Sequence, residues 1–81
     1  MIRQDEIQLQ VMWQMPRAEP RPALASFVAA WDDQTPLAVR LVRVRMGTAS
    51  FGRRDAAILD QHVEAWERLA MKDLEAKAVA T

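Results

Sequence analysis

From Glu6 to Met15 the side chains alternate. Ile7, Leu9, Val11, Trp13 and Met15 occupy every odd position, while Gln8, Gln10 and Gln14 hold even ones and Met12 is the only apolar residue out of phase. A period of two is the repeat of a strand with one buried face. As a helix, the same five side chains would spread over more than half of the wheel at 100° per residue. The chain is therefore committed to a sheet with one face to cover, and the rest of it is read for what pairs with that strand and what covers it.

Residues 16 to 22 hold Pro16, Pro20 and Pro22, a stiff connector that cannot pair as a strand interior. Pro22 suits the first position of a helix, and Leu24, Phe27, Val28 and Trp31 then follow as the stripe of a short amphipathic helix, stopped by Asp32 to Pro36. Leu37 to Met46 carries both signals. Thr35-Pro36 and Gly47 resemble a helix start and stop, yet Val39, Val42 and Val44 favour a strand. Its alternation changes phase, with Val39 and Leu41 on one face and Val42, Val44 and Met46 on the other, which a β-bulge near Leu41-Val42 would reconcile. We read it as a strand. After a loop from Gly47 to Gly52, about 25 residues predict one long helix whose stripe is Leu59, Val63, Trp66, Ala70 and Leu74.

The expected fold is α+β, a single domain over residues 1–81 in the order β-α-β-α, with the long C-terminal amphipathic helix packed on a short sheet. Two strands make a marginal sheet, and a helix of about 37 Å exceeds what a chain of this size needs. Both points predict a homodimer, with Leu59, Val63, Trp66 and Ala70 as dimer or core face.

Eighty-one residues support one core, and 51% apolar with 27% charged residues predict a folded chain. With no cysteine there is no disulfide, thiolate nucleophile or Cys-based zinc site, and a reducing cytoplasm is the expected setting. Arg3, Asp5 and Glu6 precede any apolar run, so no secretion signal is expected, nor is any stretch long enough for a membrane span. Eleven basic and eleven acidic residues cancel, but they are segregated. Residues 1–36 carry a net charge of −2 and residues 55–81 one of −3. Arg40, Arg43, Arg45, Arg53 and Arg54 give the intervening stretch +5 with no acid. A neutral chain thus has the means to present a local positive field.

Candidate chemistry is sparse. Gly47-Thr48-Ala49-Ser50-Phe51-Gly52-Arg53-Arg54 has the glycine spacing of a phosphate-binding loop, but Arg53 and Arg54 stand where lysine and a magnesium-holding hydroxyl belong. The favoured reading is a turn leading into the helix, capped by Thr48 or Ser50. His62 has Ile58, Leu59, Ala65 and Trp66 in helical register, so no second metal ligand accompanies it and it reads as a boundary residue beside Trp66. Asp60, Glu64 and Glu67 read as the wet face of the long helix. Trp13, Trp31 and Trp66 each fall on an apolar stripe and predict core, while Met12 marks a contact point if its face is open.

No catalytic residue, cofactor or metal is expected, and no membrane association. The expectation is a small non-enzymatic cytoplasmic adaptor, inhibitor or regulator that binds a protein partner, with Arg40, Arg43, Arg45, Arg53 and Arg54 at the contact. The alternative is a small nucleic-acid-binding regulator in which those arginines neutralise phosphates.

Overall fold

The computed structural model describes residues 1–14 and 18–80, with side chains as far as residue 78. Four strands come first: β1 (Ile2–Trp13), β2 (Arg21–Asp32), β3 (Thr35–Met46) and β4 (Ala49–Gly52), followed by one helix, α1 (Asp60–Ala80). The strands form one antiparallel meander in the order β1-β2-β3-β4. The chain is α+β, but its order is ββββα. Met15, the end of the expected first strand, and Pro16 and Arg17, the first part of the expected connector, lie outside the described residues.

The correction falls on residues 21–32, expected as a connector end and a helix. They form the second strand, in unbroken register with β1 from Ile2 opposite Asp32 to Trp13 opposite Arg21. Pro22 is a strand residue rather than a helix start. The helix-side positions of β2 are Ala23, Ala25, Phe27, Ala29 and Trp31, all buried. Three of these five are alanine, the strongest helix former and a weak hydrophobic signal, while Leu24 and Val28 point the other way. Large apolar residues on both faces of a central strand hide its period of two.

The alanines are also a packing device. Trp13 on β1 and Phe51 on β4 are three strand spacings of roughly 4.8 Å apart in the sheet, yet their rings meet edge to face at 5.0 Å. Trp13 meets Trp66 of α1 in the same way, at 5.8 Å. Small side chains at Ala23 and Ala25 leave the room for this aromatic group to close over β2.

Tight turns take the places expected to stop or start helices. Asp32 pairs with Thr35 across Asp33-Gln34, and Asp33 has φ 55, a left-handed conformation that Asp tolerates better than most residues. Met46 pairs with Ala49 across Gly47-Thr48, where Gly47 has φ 61 and needs no Cβ. The expected bulge is present. Ser26 faces Arg43 and Phe27 faces Leu41, so Val42 is the extra residue, and a second irregularity leaves Leu37 extra between Pro36 and Ala38. Val39, Leu41, Val44 and Met46 thereby all serve the side that α1 covers.

The helix buries Val63, Trp66, Ala70 and Leu74, with Ile58 just before it, against the sheet. Its 21 residues span about 31 Å, against about 40 Å for a 12-residue strand. Leu74 near its far end is buried against Ala29 and Trp31. The expected overhang is absent because the strands are long enough to use the helix. The four strands needed for a stable sheet come from one chain, so neither premise for the dimer holds. No described helix is long and apolar enough to cross a membrane.

Candidate contact face of the sheet

The side of the sheet away from α1 has no covering layer among the described residues. Directly opposed residues of neighbouring strands share a face, so the register defines it row by row. Glu6, Val28 and Arg40 form one row, Gln8, Ser26 and Arg43 the next, and Gln10, Leu24 and Arg45 a third. The Gln8 side-chain amide donates to the Ser26 hydroxyl at 3.4 Å within the second row. The face is thus striped along the strands: amides and a carboxylate on β1, small and apolar groups on β2, guanidinium groups on β3.

The bulge at Val42 creates the arginine stripe. In a regular strand residues 40 and 43 point to opposite faces; one extra residue between Leu41 and Arg43 puts Arg40, Arg43 and Arg45 on the same side. All three are exposed, and among the described residues none has a carboxylate within 4.0 Å. The nearest acid in their rows, Glu6, is two strands away. Beside Arg40, where β4 leaves the β3 edge open, lies a concavity of ≈ 500 Å³ whose lining includes Gln4, Val28, Ala38, Val42 and also Leu41 and Arg53.

The remaining two arginines lie outside the stripe. Arg53 is half-buried, and its Nε lies 3.6 Å from Oε2 of Glu67 on α1. The same oxygen accepts a hydrogen bond from the backbone N–H of Leu41 at 2.8 Å. Glu67, expected on the wet face of the helix, is therefore a tie between α1, the β3 edge and Arg53. Nothing in the sequence around it announces that role, because the partner is a backbone N–H on a stretch of β3 that β4 does not reach. Arg54 is exposed beyond β4.

Of the expected helix stripe, Val63, Trp66 and Ala70 are buried within the chain itself, whereas Leu59 is half-exposed. Trp13, Trp31 and Trp66 are core residues, and Met12, 58% exposed, is on the open face beside Pro22.

The glycines do not form a phosphate loop: Gly47 turns a hairpin, Gly52 ends β4, and α1 begins only at Asp60. Nor does Thr48 or Ser50 cap the helix. The intervening turns are held by Asp55, whose side chain accepts from the Ala57 N–H at 2.9 Å and whose carbonyl accepts from Ile58. His62 stacks on Trp66 with ring centroids 5.3 Å apart and planes 14° apart, the boundary position its neighbours predicted. Among the described residues no three His, Asp or Glu side chains are grouped to hold a metal ion. Comparison with protein-family models, with curated proteins and with solved structures finds no match.

Proposed function

We propose that the chain is a non-enzymatic contact protein, an adaptor, inhibitor or regulator, whose open sheet face receives an extended acidic segment of a protein partner. The observation that supports this reading is the line of Arg40, Arg43 and Arg45 beside the apolar Leu24 and Val28. A strand alternating carboxylates with apolar side chains matches both stripes at once. Guanidinium groups pair with carboxylates in a bidentate fork. We take the acting unit to be a homodimer, which presents the face twice, and its setting to be the cytoplasm, in keeping with a cysteine-free chain.

The same three arginines favour one rival, a nucleic-acid-binding regulator with phosphates along β3. Two features weigh against it. The described open face carries no aromatic ring on which a base would stack, and a flat sheet centre offers nothing to enter a duplex groove. The test is titration of the protein with a peptide alternating Glu and Leu and with mixed-sequence single-stranded DNA, each over a salt series. The peptide is expected to bind more tightly, and the triple variant R40Q/R43Q/R45Q to lose about tenfold or more in affinity for it. Tighter DNA binding, with a log–log salt slope of about −2 for three phosphates, would overturn the proposal in favour of the rival.

A further inference from the structure

The two edges of this sheet are treated differently. On the β3 side nearly every device that keeps an edge from pairing is present: Pro36, bulges at Leu37 and Val42, and the Glu67 carboxylate on the Leu41 N–H. A short fourth strand covers only Arg43 to Met46. On the β1 side the charges, Arg3, Asp5 and Glu6, are confined to the first half of the strand, and there is no bulge or proline. β1 ends the strand order, runs 12 residues in unbroken register, and from Ile7 to Trp13 has no charge, no proline and no glycine. Long, flat, uncharged edges pair with another strand unless they are blocked.

The side chains beneath this edge are also incomplete. α1 packs chiefly over β3. As a result Ile7 and Leu9 are only half-buried, while Val11 and Trp13 on the same stripe are 3% and 1% exposed. Leu69 of α1 is 48% exposed and lines, with Leu9, Gln10, Lys72 and Asp73, a notch of ≈ 350 Å³ at this edge. A strand added here gains backbone hydrogen bonds on one side and apolar cover on the other.

We infer that β1 is the homodimer interface, pairing antiparallel with β1 of a second copy about a two-fold axis normal to the sheet. The inference rests on the homodimer reading above and assigns it a surface. The occupant follows from self-complementarity. With the axis at Ile7 or Gln8, Glu6 faces an amide, Gln8 or Gln10 of the second copy. Asp5 then faces Leu9 or Val11, and Arg3 faces Val11 or Trp13. No like charges are opposed, and with the axis at Gln8 Ile7 of each copy faces Leu9 of the other and extends its apolar stripe. A shift to centre on Glu6 sets two carboxylates against each other, which disfavours that slip. The product is an eight-stranded sheet with both helices on one side and both arginine stripes on the other.

Sedimentation equilibrium at micromolar concentration tests this on three variants beside the parent chain. The parent is expected to be a dimer. Leu9→Lys, an inward-pointing charge of the kind that blocks edges, is expected to raise the dimer dissociation constant at least about tenfold. Near-ultraviolet circular dichroism of the Trp13–Trp66 pair reports whether that variant keeps its fold. Because the chain has no cysteine, Ile7→Cys and Gln8→Cys are clean probes: one of them is expected to oxidise to a cross-linked dimer, since directly opposed residues lie within disulfide range. A dimer that survives Leu9→Lys and cross-links through neither position overturns the edge assignment while leaving the homodimer reading standing. A parent chain of 9.2 kDa at every concentration overturns both.

Discussion

Replacing Glu67 tests the polar tie between α1 and the sheet edge. Its Oε2 accepts from the Leu41 N–H at 2.8 Å, and Leu41 is 1% exposed. β4 pairs only with Arg43 to Met46, so no strand takes over when the carboxylate is gone. A net hydrogen bond to a charged group contributes roughly 1.5–3 kcal/mol, and orphaning a buried donor costs a similar amount. The Arg53 pair, 3.6 Å apart with side chains 38% and 21% exposed, adds at most about 1 kcal/mol after solvent screening. Glu67→Ala should therefore cost about 2–3 kcal/mol. Glu67→Gln keeps an acceptor oxygen, loses the charge and should cost about 1 kcal/mol. For a domain of this size each kcal/mol lowers Tm by roughly 4–8 °C, so the alanine variant should melt at least about 8 °C below the parent. Urea denaturation followed by circular dichroism gives the energies, and hydrogen exchange at the Leu41 amide gives the local effect. An alanine variant within about 0.5 kcal/mol of the parent would refute the tie. Equal losses for alanine and glutamine would show that charge matters and the acceptor does not.

Two deletions and one substitution probe the sheet itself. Deleting Val42 leaves Val39-Arg40-Leu41-Arg43-Val44-Arg45 in strict alternation with every partner on β2 unchanged, so that chain should fold within about 1 kcal/mol of the parent by urea titration. Deleting Arg40 instead sends Leu41 to the open face and brings Val42 to the inward place opposite Phe27, and should cost about 1 kcal/mol more, the burial of one CH2 group. Ala25→Leu places three extra carbons where exposure is 0%, beneath the aromatic group of Trp13, Phe51 and Trp66, and should cost about 1–3 kcal/mol by overpacking. A more stable leucine variant in the same assay would show that the alanines are not spacers.

What the sequence discloses depends on where each residue's partner lies. β1 is legible because its buried face is written in large side chains and its open face in amides. α1 is legible because Val63, Trp66, Ala70 and Leu74 keep helical spacing. Residues 21–32 are not, since their inward face is mostly alanine and their outward face carries Leu24 and Val28, and only a strand on each side makes that pattern a sheet. The bulge is legible as a phase change, and through it the basic block resolves. One extra residue sends Arg40, Arg43 and Arg45 to the open face together, whereas Arg53, outside the strand, turns to the acidic helix. Glu67 shows no local signal, because its partner is a backbone N–H left open by a fourth strand that stops short. The acidic helix therefore neutralises the edge of the basic block and leaves its centre uncovered. The same irregularity that blocks pairing at the β3 edge thus builds the charged stripe, whereas the stretch of β1 from Ile7 to Trp13 has no charge, proline or bulge to guard it.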